Sequence, residues 1–307
     1  MTTPKPENLT EGTIAVRGVG TGVSSLLSWV PAPLYVVAAI LLIQFASATA
    51  KEMITPSTLM GLVFLRALFG AILATLFIRP DVRSMTRRQW TDAAGLGFVM
   101  AVFASLIYLA LNYLPLGLVV TIGFLGPLSV SLFGARRILD AFWPILGFIG
   151  VLLLAPLDGA SAQVSVIGLV CAGLYAVSWA LYILMSARSG RSIPGFVGFC
   201  LALWFCALFS APLGLIHVGS YLSSWSGFTD VLLITLLTTL PFALEFLALK
   251  RLSPAVFGVL LSSEPAIAAL VGLGVLGEEL PVAGWSAIGL VTIAAFGASW
   301  FSSTRKK

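Results

Sequence analysis

From residue 34 onward, apolar runs of bilayer-crossing length recur along the chain, and short polar or basic turns separate them. A membrane-spanning helix needs roughly 20 mostly apolar residues. Hydropathy places such spans near residues 34–50, 58–78, 92–112, 116–134, 141–157, 165–186, 196–216, 230–249, 255–276 and 282–301. Residues 1–33 carry Lys5, Glu7, Glu11 and Arg17 among Pro, Gly and Ser, with no sustained apolar period, and read as a polar tail. Ala48-Thr49-Ala50 resembles a signal-peptidase site, but a long acidic leader makes a poor signal, so 34–50 is expected to stay as a span.

Composition excludes the alternative of a soluble core. Of 307 residues, 59% are hydrophobic and 9% charged, against about 25% charged in a soluble domain. Thirty glycines suit helices that pack closely in lipid. The formal charge of +5 would suggest nucleic acid in a soluble protein, but here the basic residues fall between spans. An inside amino terminus puts fifteen of the seventeen Lys and Arg residues on the cytoplasmic side, leaving Lys51 at an outer end and Arg66 within a span. Both termini are therefore expected in the cytoplasm. Cys171, Cys200 and Cys206 lie in apolar stretches without metal-ligand spacing and read as small buried hydrophobes. No metal or cofactor is expected.

A weak repeat appears at an offset of 138 residues, pairing YLALNYL (Tyr108 to Leu114) with FLALKRL (Phe246 to Leu252) and Pro127 with Pro265. Trp143 pairs with Trp285 and Gly147 with Gly289 after a four-residue insertion holding Glu278 and Glu279. The chain then divides into a tail (1–33), a first five-helix unit (34–157), a second (165–301) and a basic tail (302–307). Five spans per unit is an odd number, so the second unit is inverted relative to the first.

A charge at the bilayer centre costs about 2.5 to 3.5 kcal/mol on the insertion scale. Arg66, Glu245 and Glu264 lie inside spans and so imply either a structural ion pair or a substrate or proton site. Pro127 and Pro265 each remove a helical hydrogen bond, freeing the carbonyls of Gly123 and Leu261 at matched depth. Pro241 shares a helix face with Thr238 and Glu245. Gln44, Tyr175, Trp179 and Tyr182 are candidates for a cavity wall. His217, the one histidine, reads as an interfacial residue.

With these residues assembled, the sequence resembles the EamA branch of the drug/metabolite transporter superfamily, and within it the bacterial threonine/homoserine exporters. The likeness spans Leu34 to about Trp300 and rests on GPLSVSLFGARRILD (126–140), AVSWALYIL (176–184), TTLPFALEFLALKRL (238–252) and FGVLLSSEPAIAAL (257–270). The resemblance implies inverted five-helix halves, cytoplasmic termini and outward movement of small metabolites. It also matches Gln44, Lys51, Arg66, Glu245 and Glu264 to positions that such exporters carry. One departure is Gly123, where those exporters tend to have an acid just before the Phe-x-Gly-Pro stretch.

The resulting expectation is an all-α, ten-helix inner-membrane secondary transporter, monomeric and surrounded by lipid, with no role in binding nucleic acid. It would export threonine, homoserine or related zwitterions, with protons as the candidate coupling ion and Arg66 facing the carboxylate. Export of another metabolite or an amphipathic drug is the alternative. An integral-membrane enzyme lacks a catalytic constellation here, and a scaffold would not need charges inside its spans.

Overall fold

The computed structural model describes residues 31–80, 82–133, 138–152, 165–193, 196–249 and 260–303, and every regular element among them is a helix. Up to residue 152 the helices are α1 (Ala32–Met53), α2 (Leu59–Ile78), α3 (Arg87–Leu111), α4 (Leu116–Gly123), α5 (Leu125–Phe133) and α6 (Ile138–Leu152). From residue 165 on they are α7 (Val166–Ser192), α8 (Val197–Gly214), the short α9 (Gly219–Leu222), α10 (Trp225–Leu249), α11 (Glu264–Leu276) and α12 (Val282–Ser303). Five helices are long and apolar enough to cross a membrane: those within Pro33–Met53, Leu59–Ile78, Arg87–Leu111, Val166–Ser192 and Val197–His217. Shorter apolar helices cover Leu116–Val130, Trp225–Pro241, Glu264–Leu276 and Val282–Gly297.

Local signals explain where the helices start and stop. Helix α3 starts at Arg87, ahead of the expected 92, because Thr86 and Gln89 form a capping box. The Thr86 hydroxyl accepts the Gln89 N–H at 3.3 Å, and the Gln89 Oε1 accepts the Thr86 N–H at 2.8 Å. These bonds satisfy two of the donors that a helix start leaves without partners. Ser165 caps α7 in the simpler way, accepting the Gly168 N–H at 3.3 Å.

The expected span 116–134 is two helices that meet at Phe124. Pro127 has no N–H for the Gly123 carbonyl, so the ladder is interrupted there. The expected span 255–276 is interrupted too: Ser262 and Ser263 form a turn and α11 starts at Glu264, with Pro265 in its first turn. Residues 251–259 lie outside the described residues. At the 138-residue offset Phe124 corresponds to Ser262, so the two breaks are separated by the spacing of the sequence repeat.

Packing pairs helices that precede residue 152 with helices that follow residue 165. Helix α1 packs on α10, α2 on α8, α3 on α7 and α8, α4 on α11, and α6 on α12. Small residues permit the tightest approaches, as at Gly126, where a Cβ would overlap the Ala176 carbonyl of α7. The outward faces carry exposed Phe77, Leu208, Leu213, Leu240 and Leu270. A coat of this kind aggregates in water and dissolves in lipid.

Candidate functional site

Helix α1 presents Gln44 and Lys51 seven residues apart, hence on one face, and α11 with its following turn supplies an acid for each. Gln44 is 1% exposed, and its Nε2 donates to Oε1 of Glu264 at 3.2 Å. Glu264 is itself 8% exposed, and stands at the first position of α11, directly after the Ser262-Ser263 break. The Gln44 Oε1 is buried and has no hydrogen-bond partner.

Beside this pair lies an aromatic cluster. The Tyr175 ring lies 5.5 Å from Trp179 and 4.9 Å from Phe103 of α3. Phe103 stacks on Tyr182 at 5.7 Å, and Trp179 meets Phe124 edge-on at 5.6 Å. Gly123 is what lets Tyr175 in, since a Cβ at that position would overlap the tyrosine ring. Glu264 acts electrostatically on Tyr175, which ties the acid at the α11 break to the aromatic cluster at the α4–α5 break. The space that an acid at 123 would fill is therefore held by an aromatic ring.

Arg66 sits in the middle of α2, partly buried. Its guanidinium lies 5.9 Å from the centre of the Tyr108 ring, within cation–π reach, and its Nε is buried without a hydrogen-bond partner. Among the described residues it forms no ion pair. The sequence signalled the arginine but not its neighbours Tyr108 and Cys206, which lack any charge or break to mark them.

Two ion pairs fasten opposite ends of the bundle. At one end Lys51 reaches Glu278 at 2.5 Å and donates to the Leu114 carbonyl at 2.7 Å, while Glu278 accepts the Leu116 N–H at 2.8 Å. Gly277 makes this possible by its left-handed φ of 63°, which folds the Glu278 N–H back onto the Gly272 carbonyl at 3.0 Å. At the other end of α3, Arg188 pairs with the buried Asp92 at 2.7 Å, and Gln89 donates to the Ser192 carbonyl at 2.6 Å. Lys51, expected to serve substrate or coupling, is thus held in a contact that joins α1, the α3–α4 turn and the α11–α12 turn. Asp92 and Phe103 were not singled out from sequence, because an acid at a span end and a phenylalanine inside one are both commonplace.

The remaining candidates divide as follows. The backbone of Glu245 belongs to α10, and its side chain lies outside the described residues. Pro241 is buried within α10, and Thr238 is turned back onto the Ile234 carbonyl at 2.8 Å. The three cysteines are buried and free. His217 ends a single 3-10 turn (Leu215–His217) beyond α8. Among the described residues no group of three His, Cys, Asp or Glu side chains gathers as a metal site. An apolar groove of about 150 Å³ between Phe69, Ile72, Leu73, Phe228 and Leu232 presents no polar atom.

Apolar helices coated for lipid, interrupted at matched positions and enclosing an acid, an amide and an arginine, make a multi-pass membrane carrier for small molecules. Residues 166–300 match the EamA-like transporter family. The threonine/homoserine exporter RhtA of Escherichia coli K12 is 32% identical over 272 residues, 88% of this chain and 92% of that protein. RhtA of Salmonella typhimurium LT2 is 32% identical over 82% of this chain and 85% of its own. An uncharacterized transporter of Bacillus subtilis, YvbV, is 26% identical over 60% of this chain and 58% of its own. One solved crystal structure, 21% identical, shares the fold with a TM-score of 0.57 over 90% of this chain and 99% of its own. The chain belongs to the EamA-like transporter family of the drug/metabolite transporter superfamily, and is a transporter rather than an enzyme.

Proposed function

We propose that this transporter exports threonine, homoserine or closely related zwitterionic amino acids across the bacterial inner membrane in exchange for protons. The observation that carries the reading is Arg66, a guanidinium inside a span whose Nε has no partner and which no carboxylate neutralises among the described residues. Such a group is retained when a ligand supplies the anion. The Gln44–Glu264 pair offers acceptors for the ammonium end. The names of the RhtA relatives point to the same substrates. In cells, overexpression is expected to raise threonine and homoserine in the medium and lower both inside; an unchanged profile of medium metabolites overturns the reading.

The architecture proposed with it is ten spans in two inverted five-helix units within a monomer. Support comes from the breaks at Phe124 and Ser262 and from packing whose pairs persist when the halves are exchanged: α1 on α10 matches α7 on α3. The distribution of basic residues supports a topology with both termini in the cytoplasm. A fluorescent protein that matures only in the cytoplasm, fused after Lys307, is expected to fluoresce. A dark fusion at normal expression refutes that topology.

A second reading, export of a more apolar metabolite or an amphipathic drug, is favoured by Tyr175 occupying the place beside Gly123. Medium profiling separates the two.

A further inference from the structure

The Gln44 amide has one end in use and the other idle. Its Nε2 faces Glu264, and its Oε1, equally buried, has no partner. A buried acceptor without a donor is costly, so the arrangement calls for a donor from outside the protein. The orientation of the amide follows from charge. Beside an ionised carboxylate only the N–H end can face the acid, since two oxygens would otherwise meet with no proton between them. Beside a protonated acid the order reverses: the carboxyl O–H donates to Oε1, and Nε2 becomes the idle group.

We propose that Gln44 binds the ammonium group of the substrate through Oε1, and that this oxygen is open to the substrate only while Glu264 is ionised. A proton on Glu264 and an ammonium on Gln44 then exclude each other at one site. The exclusion rests on the amino-acid reading above and supplies its coupling step. The substrate leaves outward, Glu264 takes a proton from the outer side, the amide turns over, and the proton is released inward when Glu264 ionises again. One proton enters for each molecule exported, and no covalent bond changes.

Among the described residues, Glu264 is the acid that meets the Gln44 amide, and it is the group assigned the switch. Helices α4 and α12 bring no titratable side chain among the described residues to the α11 interface. Helix α1 brings Tyr35, Lys51 and Glu52, of which Lys51 is engaged by Glu278, and α7 brings Tyr175.

The test uses purified full-length protein in liposomes and the carboxyl reagent dicyclohexylcarbodiimide, with its adduct on Glu264 read by peptide mass. Threonine and homoserine are expected to suppress that adduct, whereas N-acetylthreonine, which lacks the ammonium, does not. Below the pH at which Glu264 takes up its proton, the threonine needed for suppression is expected to rise about ten-fold per pH unit. In Gln44→Met the adduct persists, reporting a folded site, but suppression requires at least about ten-fold more threonine, the loss of one hydrogen bond to a charged group.

Equal protection of wild type and Gln44→Met overturns the role of Gln44 while leaving the amino-acid reading intact. Protection by N-acetylthreonine, or protection independent of pH, overturns the exclusion in wild type alone, whatever the fate of the variant. Failure of both threonine and homoserine to protect wild type overturns the underlying reading instead.

Discussion

Arg66→Gln and Glu264→Gln are each expected to lower threonine export at least about a hundred-fold, the size of effect when one partner of a desolvated charge contact is removed. Both variants are expected to reach the membrane and melt close to wild type. Among the described residues Arg66 has no ion pair to lose when neutralised, and its Nε has no hydrogen bond to forfeit. Gln at 264 keeps an oxygen toward the Gln44 amide. If the two residues served only to neutralise each other, each single variant would be destabilised and the double variant would recover both stability and export. The double variant is expected to remain folded and inactive. Thermal stability in detergent and export from loaded vesicles, measured on all four proteins, decide between the two.

Lys51→Met and Glu278→Gln are expected to behave the opposite way. Their side chains are 23% and 12% exposed and joined at 2.5 Å, so deleting either leaves a charge in a site that water reaches poorly. A loss of about 2 kcal/mol in stability is expected for each single variant, below the cost at a fully buried pair because of the residual exposure. The double variant is expected to regain most of it, since the glutamine amide oxygen at 278 still accepts the Leu116 N–H, and to export threonine at a rate within a few-fold of wild type. An inactive but stable double variant would give Lys51 the substrate or coupling role that the resemblance to the exporters implies.

These two cases show what the sequence could and could not disclose. The helical fold and its five long apolar helices were legible because bilayer thickness imposes a length and a composition that few other constraints produce. The chemistry-bearing residues were equally visible, since a charge such as Arg66 or Glu264 stands out against apolar neighbours. Partnership was not. Lys51 and Glu278 are 227 residues apart, and Gln44 and Glu264 are 220 apart. Only the folded chain shows that Lys51 meets an acid and backbone groups, whereas Arg66 meets an aromatic ring. Phe103 was hidden for a different reason: a phenylalanine in a span carries no mark that separates a pocket wall from packing. The break at Phe124 was foreshadowed by Pro127, but where the helix would resume depends on packing against α7, which no local pattern encodes.

The contact between Gly123 and Tyr175 also constrains how this transporter can evolve. A side chain of any size at 123 overlaps the tyrosine ring, so an acid introduced there alone is blocked sterically before its charge can matter. Tyr175 reduced to a small residue first would leave a void among Phe103, Trp179 and Gly123. Each single step passes through a damaged protein, and only a paired exchange reaches a pocket with an acid at that point. In this protein the glycine and the tyrosine therefore stand or fall together, and the chemistry of the pocket wall can be changed at this point only by exchanging both.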